Sequence, residues 1–262
     1  MSALARTREP EFTTAEVEAF RRDGYVVVHG LAGRAQCAEM KRLAQDHLAR
    51  AAGPVEYEAD VRYPGAPVSH EGPGGRTVRR LLQAYVRDAA FRDWAVSNAV
   101  GARLAQLLGT QPMLSQAHHN CIMTKDPGFS SRTGWHQDIR YWSFEKPELI
   151  SVWLALGEET EENGCLWLVP GSHRENFRRD RFDELLFFRS DLDENRALID
   201  SAVRAEIAPG DVLFFHSRLL HAAGWNRTAE TKLSVVFTYH AADNHPLPDT
   251  RSASLPSVPT AT

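Results

Sequence analysis

The hydrophobic positions change period near residue 110. Before it they recur at helical spacing. Thr13-Thr14-Ala15-Glu16 is a capping box, in which the Thr13 hydroxyl and the Glu16 carboxylate each satisfy the other residue's backbone N–H. It predicts a helix that Gly24 stops. Tyr25-Val26-Val27-Val28 reads as a strand. Cys37, Met40, Leu43, Ala44 and Leu48 predict an amphipathic helix over 34–51. Residues 53–76 are rich in Gly and Pro and read as loop. A third helix is expected over 89–108, ending at Gly109.

After residue 111 short apolar runs alternate with turn signals. Ile150, Val152, Leu154 and Leu156 interleave with Ser151, Trp153 and Ala155, a period of two. Residues 165–169, 203–207, 212–216 and 232–240 read as further strands, with Pro170-Gly171 and Pro209-Gly210-Asp211 as turns. A charged insertion over 174–202 carries Phe177, Phe182, Phe187 and Phe188 and has the length of an active-site cover. The expected architecture is mainly β with flanking helices: a double-stranded β-helix, the jelly-roll or cupin-like barrel. One domain is expected over 1–245, helical over 13–109 and barrel over 111–241. A loose arm is expected up to about residue 11, and a mobile Pro/Ser/Thr-rich tail over 246–262.

Composition narrows the function. The chain of 262 residues has 43% hydrophobic and 24% charged residues, ordinary for a globular protein. A net charge of −4 argues against nucleic acid or an anionic membrane as the main partner. No apolar stretch has membrane-span length, and MSALARTREPEF lacks the apolar core of a secretory signal. Cys37, Cys121 and Cys165 are odd in number and far apart, as in a reducing cytoplasmic protein.

The chemistry concentrates in GWHQDIRYW, residues 134–142, and FFHSRLLHAAGWNRT, residues 214–228. In an extended chain residues i and i+2 share a face, so His136 and Asp138 can turn toward one point. Two imidazoles and one carboxylate leave three positions of an octahedral ion open, the facial triad of non-haem Fe(II) oxygenases. Chance alone supplies about one or two His-x-acid triplets in such a composition, so context must select. His173-Arg174-Glu175 closes the turn Pro170-Gly171-Ser172, whereas His136 leads into a strand-prone aromatic run. For the third ligand, His221 is preferred over His216, which an odd offset would place on the opposite face of a continuous strand.

These segments, with FRRDGYVVV near the start, the Asn163-Gly164-Cys165-Leu166 run, Pro170-Gly171-Ser172-His173 and Gly210-Asp211, resemble the phytanoyl-CoA dioxygenase family of Fe(II)/2-oxoglutarate-dependent oxygenases from Phe20 to about Ala241. The resemblance implies His136, Asp138 and His221 as iron ligands. It also implies Trp153, Lys125 and Lys232 beside the co-substrate, with a small organic molecule and O2 as reactants and succinate and CO2 as co-products. Lys232 stands where the family usually has Arg, and a compact ammonium replaces a planar fork. Ala223 stands where a hydroxyl is common. Two alternatives follow from these departures: a catalytically silent metal-binding protein of the same fold, and an iron dioxygenase that does not use 2-oxoglutarate.

Overall fold

The computed structural model describes residues 11–262 apart from 62 and 64. The loose arm expected at the N-terminus falls almost entirely outside them. The helices are α1 (Thr14–Asp23), α2 (Arg34–Ala49), α3 (Ala84–Arg87), α4 (Ala89–Ala95), α5 (Asn98–Leu108) and α6 (Asp193–Ile199). The strands are β1 (Tyr25–Val28), β2 (Val55–Tyr57), β3 (Val78–Leu82), β4 (Pro112–Lys125), β5 (Thr133–His136), β6 (Leu149–Ala155), β7 (Leu166–Leu168), β8 (Val203–Ala205), β9 (Val212–His216), β10 (His221–Ala223), β11 (Lys232–Ala241) and β12 (Val258–Pro259). The capping box at Thr13 and the left-handed Gly24 bound α1 as expected.

Two sheets carry the fold. The larger has the order β1-β9-β6-β11-β4-β3-β2, with β12 added to β4, and the smaller is β5-β10-β7-β8. This is the expected mainly β architecture with helices outside. One apolar cluster joins α1, α2, α4 and α5 to the outer face of the larger sheet. A second lies between the sheets and contains Trp153, Val236 and Phe215 from one, and Leu166, Leu168 and Ala223 from the other.

The period-two pattern of β6 is used in an unusual direction. Its continuous apolar stripe, Ile150, Val152 and Leu154, faces the helices. The mixed stripe, Ser151, Trp153 and Ala155, faces the interior between the sheets, and every residue of the strand is buried. The polar side of this strand therefore points at the site, not at solvent.

Three sequence expectations need correction. The helix expected over 89–108 breaks at Val96-Ser97, where Ser97 adopts an extended conformation and starts α5. The N-terminal half is not only helical, since β1, β2 and β3 all join the larger sheet. Residues 246–262 do not hang free. Val258 and Pro259 pair with Leu114 and Met113, and Thr260 N–H donates to Pro112 O. Ala261 N–H donates to Val96 O, and Ser252 is buried. The chain lies close over α5: a Cβ on Gly101 would stand 1.8 Å from Ala261 O, so a side chain there cannot coexist with this path.

Candidate metal centre and co-substrate pocket

β5 and β10 are antiparallel neighbours, and His136 lies directly opposite His221. Cross-strand pairing thus brings together two imidazoles 85 residues apart, with ring centroids 4.2 Å from each other. Each Nδ1 points at a backbone carbonyl two residues back, His136 at Gly134 O and His221 at Leu219 O, both at 2.9 Å. A tautomer that donates from Nδ1 to such a carbonyl presents Nε2 as the acceptor a metal needs. β5 ends at His136. Gln137 stays extended and Asp138 opens a short 3₁₀ turn, so the two-residue spacing still places both side chains on one side.

The ligand atoms of His136, Asp138 and His221 all lie within 4.8 Å of one another. Asp138 Oδ1 is 3.6 Å from His136 Nε2 and 3.7 Å from His221 Nε2. Ligands at right angles about 2.1 Å from an ion stand about 3 Å apart, so small inward movements complete a facial set. The donor set, two nitrogens and one oxygen, suits Fe(II). Asp138 Oδ2 turns the other way, 3.5 Å from Ser151 Oγ and 3.6 Å from His119 Nδ1. Burial opposes ionisation of Asp138, but His119, His221 and His136 outweigh it and hold its carboxyl below the usual range. Burial, aided by His136, lowers His221 to about 4, so its imidazole is neutral near pH 7.

His216 is not part of this cluster. It ends β9 in the larger sheet, and its Nε2 is 2.8 Å from Glu148 on the far side. The chain changes sheets between His216 and His221, so they are not on one strand. Parity along one continuous strand therefore does not apply; the change of sheet is what separates His216 from His136 and Asp138. His173 lies outside the cluster too, packed 5.4 Å from the His216 ring.

His119 reaches Asp138 because β4 carries a bulge. Its pairing with β11 jumps from Asn120↔Phe237 to Ser115↔Thr238, which leaves 116–119 without partners in that ladder. Bulges commonly re-aim side chains beside active sites. Here His119 turns inward, while His118 turns out to Ser252 Oγ at 2.7 Å and stacks on Trp142.

One pocket joins His136, His119 and His221 to Trp153, Lys125 and Lys232, the three residues expected beside the co-substrate. Lys125 and Lys232 are register partners on β4 and β11. Lys232 is not free. Its Nζ donates to Glu159 Oε2 at 2.9 Å, beside the Trp153 ring at 5.2 Å. Trp153 Nε1 donates to Glu159 Oε1 at 2.7 Å, and Ser234 Oγ donates to the same oxygen. Lys125 Nζ donates to Ser131 O at 3.1 Å and Gly224 O at 2.6 Å. Burial, reinforced by Lys232 and Arg79, lowers Lys125 to about 7. Gly164 makes room for this arrangement: at φ 77° its Cβ would meet Gly224 O at 2.7 Å and Lys125 Cδ at 2.8 Å.

Sequence reasoning missed Arg79, Arg80 and Glu159. The two arginines line the pocket from β3, held by Glu58 and Glu56 respectively. In Glu158-Glu159-Thr160-Glu161-Glu162, Glu159 looks like one surface acid among several, yet it is buried. No local sequence signal marks it; a long-range bridge to Ile207 draws the segment inward.

The phenylalanine-rich insertion packs beside this site. Phe187 lies 6.1 Å from the His136 ring, and Phe188 N–H donates to Trp135 O. Arg140 covers the Phe182 ring at 3.4 Å, and Tyr141 donates to Leu185 O at 2.8 Å. Arg140 and Tyr141, which follow Asp138, therefore tether the insertion.

The sequence profile of the phytanoyl-CoA dioxygenase family matches residues 20–234. The chain is 24% identical over 234 residues to a probable phytanoyl-CoA dioxygenase of Caenorhabditis elegans, covering 85% of this chain and 73% of that protein. Its fold resembles EctD from S. alaskensis, solved with 2-oxoglutarate and 5-hydroxyectoine, at a TM-score of 0.76 and 21% identity over 92% of this chain and 80% of that one. It also resembles the α-ketoglutarate-dependent epimerase SnoN from nogalamycin biosynthesis, at a TM-score of 0.72 and 23% identity over 95% of this chain and 94% of that one. With the family profile spanning both histidines and the aspartate, the chain belongs to the phytanoyl-CoA dioxygenase family and is a 2-oxoglutarate-dependent oxygenase.

Proposed function

We propose that His136, Asp138 and His221 bind Fe(II), that 2-oxoglutarate lies in the pocket reaching Trp153, Lys125 and Lys232, and that the protein hydroxylates a small organic substrate. The convergence of three ligand atoms within 4.8 Å, beside a buried pocket that carries cations, supports this reading most strongly. With O2 as the oxidant, bound Fe(II) and 2-oxoglutarate would supply the power to take hydrogen from carbon, one oxygen atom ending in succinate, released with CO2, and the other in the product. The protein's own residues do the rest. Leu219 O and Gly134 O fix the imidazole orientations, Ser151 steadies Asp138, and the insertion shields the His136 side from water.

Asp138 supplies a carboxylate where a halogenating site would need space for an anion, which favours hydroxylation. The net charge of −4 and the three unpaired cysteines support a small-molecule reaction in the cytoplasm with no nucleic-acid partner. No helix among the described residues is long and apolar enough to cross a membrane. The test is a panel of small organic molecules scored for coupled consumption of 2-oxoglutarate and gain of one oxygen atom in the product. Stoichiometric Fe(II) binding without any 2-oxoglutarate binding would favour a silent metal-binding protein instead.

A further inference from the structure

The charges around the pocket do not balance, and the imbalance falls on one residue. Four cations line it: Arg79, Arg80, Lys125 and Lys232. Arg79 pairs with Glu58 at 3.3 Å, Arg80 with Glu56 at 3.0 Å and Lys232 with Glu159 at 2.9 Å. Among the described residues Lys125 is the one cation of the four without a carboxylate partner; its two hydrogen bonds go to Ser131 O and Gly224 O.

Two carbonyl acceptors are what a neutral amine satisfies. A neutral lysine has two N–H donors and a lone pair, whereas the ammonium has a third N–H that needs an acceptor. Both N–H groups of a neutral Lys125 are used by these two carbonyls. A dianionic co-acid changes that count. Its far carboxylate enters a wall whose other three cations are already compensated, and a desolvated carboxylate without a counter-charge is costly. The third N–H of a protonated Lys125 meets the need, beside its register partner Lys232.

We propose that 2-oxoglutarate binding is coupled to protonation of Lys125, so that the pocket takes up one proton from solvent together with the dianion. The inference rests on the co-substrate reading above. The balance is simple: neutral Lys125, one proton and the dianion give an ammonium–carboxylate pair. Burial and the neighbouring Lys232 and Arg79 hold the Lys125 amine near 7, against the opposing pull of Glu58 and Glu159. The bound state holds more protons than the free state, so affinity falls as pH rises above 7, approaching tenfold per pH unit. Glu159 is what creates the dependence, because it already compensates Lys232.

The test is anaerobic calorimetric titration of 2-oxoglutarate into Fe(II)-loaded protein at pH 7.5, in two buffers of different ionisation enthalpy. Metal loading beforehand removes the protons released by metal binding. The expected result is uptake of about half to one proton per site, and an affinity that weakens between pH 6.5 and 8.5. Lys125→Arg carries a permanent charge, so it should bind the co-acid with no proton uptake and a flat pH profile. Lys125→Met should lose both the uptake and about 10- to 100-fold in affinity. Binding of wild type with heats independent of buffer overturns the inference while leaving the co-substrate reading intact, as does uptake that persists in Lys125→Arg. No binding heat in any buffer removes both.

Discussion

Lys232→Ala is expected to be first a folding lesion and only second a binding lesion. The Lys232 side chain is 4% exposed and that of Glu159 1% exposed, with 2.9 Å between Nζ and Oε2. Removing the ammonium leaves a buried carboxylate with only the Trp153 and Ser234 donors. Breaking one half of a buried pair costs about 3–5 kcal/mol, because the surviving charge stays desolvated. At about 2–4 °C per kcal/mol for a chain of this size, the melting temperature should fall by roughly 6–20 °C. The double variant Lys232→Met/Glu159→Gln removes both charges, keeps an acceptor for Trp153, and should recover most of that loss. The assay is thermal unfolding of the metal-free proteins by circular dichroism at pH 7.5, with the singles Lys232→Met and Glu159→Gln completing a double-mutant cycle. A single variant within about 2 °C of wild type, or a double variant no better than the single, would refute the reasoning.

Three further outcomes follow from the geometry. His221→Ala should lose Fe(II) affinity at least tenfold in an equilibrium titration, while His216→Ala, which breaks a contact with Glu148 on the far side, should keep it. Gly101→Val should displace the C-terminal segment, seen as a lower melting temperature and faster proteolytic loss of residues after 250, since a Cβ there meets Ala261 O at 1.8 Å. Burial lowers His173 to about 4, with His216 adding to it, and lowers His118 to about 3. The unfolded chain therefore binds protons that these residues refuse in the folded one. Their contribution is present above pH 6.5 and lost as pH falls toward 4, and denaturant titrations across that window should show it.

The clustering of His136 with Asp138 was legible because its geometry is local. His136 and Asp138 are two residues apart, and one extended residue between them fixes their common direction. His221 needed context, since choosing it over His216 depends on a change of sheet that spacing does not reveal. Strands β1 and β9 could be read to the residue, because turn signals bound them. What stayed hidden depends on long-range meetings. Glu159 becomes the partner of two pocket-lining side chains only because Lys232 and Trp153, with Ser234, arrive beside it from other strands. Arg79 and Arg80 lie near a loop-rich stretch whose polar pattern looks like surface. The tail composition suggested mobility, but backbone pairing with β4 holds it, and ladder hydrogen bonds do not depend on side-chain type. The break at Ser97 hides in a continuous apolar pattern, because α4 and α5 both feed one core.

The most direct test of the account is succinate formation from 2-oxoglutarate in air with Fe(II), without added substrate. Wild type should release succinate slowly. Asp138→Ala and His221→Ala should release none above the metal-only background, and His216→Ala should match wild type. Wild type that binds Fe(II) stoichiometrically yet forms no succinate, or His221→Ala that forms it at the wild-type rate, would contradict the account.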